Sequence, residues 1–170
     1  MTRSHLIPSC IVAITVMLDQ ISKFIIRSNM NYGESIPSTG LFRITYVKNT
    51  GSAFGMLQDQ TTWLILASII AIVVLLFLYR GLNTNGTLIR IMISLQIGGA
   101  IGNLADRIRI GYVVDFIDIG LWPVFNIADS TITIGITGMI ILILITNANT
   151  SADAEIQDKY EKLETDKITD

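Results

Sequence analysis

An α-helical integral membrane protein with four transmembrane helices is the fold class this sequence predicts, and two observations carry that expectation. Hydrophobic residues make up 51% of the 170 and charged residues 15%, against roughly 25% charged in ordinary globular chains; mean hydropathy is +0.56. The charges are also missing from long runs. Gln60 to Tyr79 and Ser130 to Ala152 hold none, and about 20 uncharged apolar residues cross a bilayer core as a helix. Ser4 to Leu18 and Ile91 to Ala105 are shorter uncharged runs, each extendable by a turn. Spans are expected near 6–26, 62–79, 88–106 and 128–147. A soluble protein with buried helices fits this pattern poorly.

The first span opens with Arg3 and an apolar run, as a secretory signal does. Its apolar stretch continues past Asp19 to Ile26, and no small-x-small cleavage site follows, so it reads as a retained span. Cys10, the single cysteine, excludes an internal disulfide and fits packing better than nucleophilic chemistry. His5 has no His or Cys partner, so no metal is expected. After this span, residues 27–61 form a long connection. Within it Leu41-Phe42-Arg43-Ile44-Thr45-Tyr46-Val47 is rich in β-branched and aromatic residues, between Pro37, Gly40 and Gly51. That composition predicts one or two strands of a small sheet on the membrane surface. The second span leads through a turn-rich link, 80–87, to the third. Residues 107–127 make a second long connection on the same face as the first, and the fourth span follows.

Lys and Arg do not orient the chain. Arg3, Arg80, Arg90, Lys159, Lys162 and Lys167 fall on one side and Arg27, Arg43, Lys48, Arg107 and Arg109 on the other, so the positive-inside rule gives close to a tie. Four spans do put both termini on one side. Net charge is −2 with no basic block, so nucleic acid is not an expected partner. Residues 148–170 mix Asp, Glu and Lys as a solvated tail.

An ionisable residue inside a span is costly and marks function by default. Asp19 and Lys23 lie four apart on one helix face and can pair, which would also neutralise them without any further role. Gly98 and Gly102 make a small-xxx-small face for close helix packing. Gly99, Asn103 and Asp106 continue a neighbouring face, bringing an amide and a carboxylate to the end of the third span. Arg107 follows, either snorkelling to the interface or bracing a carboxylate. Asp115 is flanked by apolar Val114 and Phe116, and Asp129 opens the fourth span. Taken alone, Asp129 also fits a helix N-cap before Ser130; that leaves Asp115 unexplained.

Two carboxylates at one membrane boundary offer a chemistry. Like charges in close contact do not both ionise easily, so one holds a proton while the other acts as a base. Such a pair can deprotonate water and protonate a peptide carbonyl or leaving amine, with no cofactor, metal, Ser or Cys nucleophile. Periodicity does not place Asp115 against Asp129. Proton or ion carriage is a rival use of membrane carboxylates, although four spans without an inverted repeat suit alternating access poorly. A packing scaffold built on Gly98 and Gly102 is a second rival.

Five segments, in order, resemble the lipoprotein signal peptidase (signal peptidase II) family. They are Asp19-Gln20-Ile21-Ser22-Lys23, Asn49-Thr50-Gly51-Ser52-Ala53-Phe54-Gly55, Gly98 through Arg107, Val113-Val114-Asp115-Phe116 and Phe125-Asn126-Ile127-Ala128-Asp129. The resemblance covers about residues 10–146. It implies four helices carrying a small extracytoplasmic β-cradle and a short membrane-surface helix. It implies an aspartic endopeptidase that removes the signal peptide of a diacylglyceryl-modified prolipoprotein, cutting just before the lipidated Cys, and a target of the cyclic peptide globomycin. Asp115 and Asp129 match the catalytic pair. Asp19, Asn49, Gly51, Gly99, Asn103, Arg107, Asn126 and Ala128 match residues that line or brace the site, and Lys23 and Asp106 are expected to support it. Ser22 and Ser52 replace the commoner Thr and Ala, conservatively. The resemblance further implies a bacterial inner-membrane protein among membrane lipids; a monomer is expected, although the sequence itself does not set the oligomeric state. Residues 1–147 would be the peptidase domain, with loops 27–61 and 107–127 extracytoplasmic, both termini cytoplasmic and the active site on the outer face.

Overall fold

A computed structural model describes residues 3–51, 60–81 and 86–147. Among these residues four helices are long and apolar enough to cross a membrane. In chain order α1 is Arg3–Asn29, α2 is Thr61–Gly81 and α3 is Thr87–Ile110; α4 is Ile127–Asn147. Three strands form an antiparallel sheet in the order β1 (Ser35–Ile36), β2 (Arg43–Asn49) and β3 (Val113–Asp118). The helix ends run up to about a turn past the expected spans. Arg27 lies in the last turn of α1 and Arg107 and Arg109 in that of α3. Cations suit a helix C-terminus, so a charge that ends an apolar run does not end the helix.

α3 is the central span. It packs against both α1 and α2, and 56% of its apolar window is buried, against 17% or less in the other three. Its glycines permit this. A Cβ on Gly98 would stand 2.7 Å from Cβ of Thr15, and one on Gly102 would overlap the Asp19 carboxylate. Thr15 and Asp19, one turn apart on α1, therefore seat on the glycine face that the sequence offered. On the other side, a Cβ on Gly99 would lie 2.5 Å from the Ala128 carbonyl oxygen at the start of α4. Backbone cannot yield there as a side chain can. Gly99→Ala is accordingly expected to destabilise by about 1–3 kcal/mol, the usual range for overpacking. Thermal unfolding in detergent checks this; an unchanged Tm would contradict the close packing.

Elsewhere the helices turn apolar side chains outward. Leu18, Ile21 and Phe24 on α1, Ile70 and Phe77 on α2 and Ile134 on α4 are all exposed. Lipid is the solvent that makes such a surface favourable. Cys10 belongs to the exposed face of α1, not to the packed core.

Past α3 the chain reverses. Gly111 takes a left-handed conformation (φ 81°) and its N–H caps the Arg107 carbonyl, the usual use of glycine just past a helix end. β3 starts two residues later and pairs with β2, Val47 opposite Asp115 and Asn49 opposite Val113. β3 was not foreseen. Val113, Val114, Asp115, Phe116 and Asp118 are all buried, so the alternation that marks a one-sided strand is absent. A register shift between Ile44 and Val47 puts an extra residue into β2, as in a bulge. Arg43 grips Asp118 at 2.7 Å on the far end of the pair.

Contacts divide the chain into 1–136 and 137–170. Within the second unit, residues 137–147 complete α4 as helix. The expected tail, 148–170, lies outside the described residues, as do 82–85 of the turn-rich link. The expected surface helix is not among the described elements, and Ser52–Gly55 of the matched motif fall in 52–59, also outside them.

Candidate active site

The end of α3, the β2–β3 pair, the segment 122–125 and the start of α4 line a cavity of about 470 Å³. Asn49, Gly51, Asn103, Arg107, Asp115 and Asp129 line its polar side; Val47, Val113, Trp122, Phe125 and Ile132 line an apolar side. Both carboxylates singled out in the sequence thus face one space.

Asp115 reaches it from β3. Val47 is its cross-strand partner, and Asn49, two residues on, shares that face because side chains alternate along a strand. Asn49 Nδ2 donates to Asp115 Oδ2 at 2.9 Å, while its Oδ1 accepts from the Gly51 N–H at 3.0 Å. Burial pushes the Asp115 carboxyl up, and the charge of Asp129 adds to this. The amide donors of Asn49 and Asn126 and the charge of Lys23 offset part of the rise, leaving a pKa of about 7.

Asp129 arrives differently. α4 begins at Ile127, so Asn126, not Asp129, is the residue before the helix, and Asp129 lies within its first turn. Asp129 N donates to Asn126 Oδ1 at 2.9 Å, and Asn126 N to Asp129 Oδ2 at 3.2 Å. This is a reciprocal capping box. It answers the N-cap reading of Asp129: the cap is Asn126, and Asp129 Oδ1 is left to accept from Asn103 Nδ2 at 2.8 Å.

Asn126, fully buried, joins the two acids. Its Nδ2 donates to Asp115 Oδ1 at 2.6 Å and to Asn103 Oδ1 at 3.2 Å. One side chain therefore sets the position of both carboxylates.

Behind Asn103 lies a buried ion cluster. Lys23 Nζ stands 2.9 Å from Asp19 Oδ2, 3.2 Å from Asp106 Oδ2 and 2.9 Å from Asn103 Oδ1. Asp19 and Lys23 do pair, but as part of this larger cluster and not as a self-contained pair at the interface; they are 0% and 2% exposed. Asp19 Oδ1 also accepts from Ala128 N, and Asp106 Oδ2 from Val114 N. The cluster thus ties α1 and α3 to the starts of α4 and β3. Arg107 Nη2 donates to the Gly51 carbonyl at 3.1 Å. Among the described residues it forms no ion pair with a carboxylate, so it holds the chain after β2 at the cavity wall. Gly99 and Ala128 act through close packing.

Sequence reasoning passed over Gln20. Its amide nitrogen donates to the Gly102 carbonyl, Asp106 Oδ1 and Asp19 Oδ2, and its oxygen accepts from Arg109. The signal was present: a polar amide beside an acid inside an apolar span. Trp122, on the cavity wall, had no such signal.

Four apolar helices carrying a small sheet, with two carboxylates lining one cavity, are the architecture of a membrane protein with a candidate acid–base site. The chain belongs to the signal peptidase (SPase) II family, Peptidase_A8, whose model matches residues 11–145. It is 44% identical over 131 residues to the lipoprotein signal peptidase of Moorella thermoacetica, covering 76% of this chain and 87% of that one. It is 43% identical over 138 residues to that of Dehalococcoides mccartyi, covering 78% and 85%. A bacterial membrane enzyme solved in meso at 2.3 Å superposes with a TM-score of 0.78 at 36% identity, over 84% of this chain and 90% of the other. A second, solved at 1.9 Å, gives 0.73 at 36% identity over 81% and 92%.

Proposed function

We propose that this chain is an aspartic endopeptidase of the bacterial inner membrane. It removes the signal peptide from diacylglyceryl-modified prolipoproteins, cutting before the lipidated Cys, with Asp115 and Asp129 as the catalytic pair. The observation that carries this is the pairing of the two acids through Asn126 in one cavity, with Asp115 held at about 7. Near neutral pH the pair then holds one proton. Asp115 keeps it, and Asp129 takes a proton from water as the water oxygen attacks the scissile carbonyl carbon. Asp115 passes its proton to the carbonyl oxygen. When the tetrahedral intermediate collapses, Asp129 returns its proton to the leaving amine nitrogen, the C–N bond breaks, and Asp115 recovers a proton from the intermediate's hydroxyl. Both acids end as they began.

The cavity suits such a substrate. Its polar side carries the acids, and Val47, Trp122, Phe125 and Ile132 offer apolar contact beside them. The outward apolar surface of the helices leaves acyl chains in lipid. Both termini are cytoplasmic in this reading, which puts the cavity on the outer face, where a signal peptide that enters N-terminus inside presents its cleavage site. The protein acts as a monomer.

Incubating purified protein in phospholipid vesicles with a lipidated precursor and with its unlipidated counterpart tests the proposal. A shortened product whose first residue is the lipidated Cys is expected from the first alone. No product from either, with folded protein, contradicts it. Serine and thiol reagents are expected to leave cleavage unchanged, and Cys10→Ala to stay active; loss of activity in Cys10→Ala would point to a thiol mechanism.

A further inference from the structure

We propose that Lys23 is a positioning residue for the acid pair, its ammonium fixing the Asn103 side chain so that the amide NH2 faces Asp129. An ammonium has donors and no acceptor. The Asn103 atom 2.9 Å from Lys23 Nζ must therefore be the carbonyl oxygen, which turns Nδ2 toward Asp129 Oδ1. Asn103 Oδ1 also accepts from Asn126 Nδ2, but at 3.2 Å and from a group shared with Asp115 at 2.6 Å. That second hold changes whenever Asp115 gains or loses its proton. Lys23 is bound otherwise to Asp19 and Asp106, and is 2% exposed, so its hold persists through the cycle. Lys23 has this role only if Asp115 and Asp129 are the catalytic pair.

Lys23→Met keeps the unbranched stem of the side chain and removes the donor. Turnover is expected to fall about 10²-fold, the cost of a small misplacement at a reacting centre, with little change in KM. Because Lys23 acts through Asn103, Lys23→Met should cost little further turnover in the Asn103→Ala background; coupled residues are non-additive. Fully multiplicative losses would overturn the role. The pH–rate profile gives a second readout. Asp115 faces Asp129 on α4, Arg107 on α3 and Lys23 on α1, and Lys48 on β2 lines the same cavity. Lys23 lowers the Asp115 pKa, so its removal should move the high-pH limb upward; a limb that stays in place also counts against the role. Should Lys23→Met fail to fold, Lys23→Met with Asp106→Asn removes charge and countercharge together, and is compared with Asp106→Asn alone in the same two readouts. Asp129→Asn is run alongside. Turnover in that variant breaks the acid-pair reading itself, whereas an inactive Asp129→Asn with multiplicative losses at Lys23 and Asn103 breaks only this one.

Discussion

Asp115→Asn and Asp129→Asn are each expected to lower cleavage by at least about 10²–10⁴-fold, the contribution of a positioned acid or base. Asn keeps the shape of Asp and loses the titrating group. It is not free of structural cost. Both oxygens of Asp115 accept from amides, Asn49 and Asn126, so the NH2 of the substituted Asn must face one donor. An unmet buried donor costs about 1–3 kcal/mol, which a Tm measurement detects and which leaves the fold standing. Turnover near that of the parent protein in either variant removes that residue from the chemistry.

Asn126→Ala is expected to have the next largest effect, about 10²-fold on turnover. It deletes the donor to Asp115, the donor to Asn103 and the acceptor of the Asp129 N–H at once. It also deletes the cap of α4, worth about 1 kcal/mol. Asn126→Ser separates the two losses. Serine still caps a helix but has no amide NH2 to reach Asp115. Low turnover with a restored Tm in Asn126→Ser is the expected result. Restored turnover would make Asn126 a cap alone.

The spans were legible because a bilayer core tolerates few charges, and runs such as Gln60–Tyr79 report it directly. Their ends were not, since Arg27 and Arg107 leave the apolar core while the helix continues. Gly98 and Gly102 were readable as a packing face, and the structure puts Thr15 and Asp19 on it. β3 was hidden by its burial on both faces. The meeting of Asp115 with Asp129 was also beyond periodicity. It depends on Gly111 reversing the chain after α3, on the β2–β3 register and on the capping box at Asn126. The resemblance supplied that pairing in advance, residue by residue. What it did not supply is the path from Lys23 through Asn103 to Asp129, which joins α1 to α4 across α3.

The pH–rate profile of purified protein on a lipidated precursor, with and without a chelator, tests the shared proton most directly. A raised carboxyl pKa means that the proton is retained up to about 7 and lost above it. Activity should therefore rise from acid pH as the pair sheds its first proton, peak while one remains, and fall as pH passes about 7 and the second leaves. A bell of that form, unchanged by the chelator, is the expected result. A rate that keeps climbing well above neutral pH, or one abolished by the chelator and restored by a divalent ion, would show Asp115 and Asp129 to be something other than an acid–base pair.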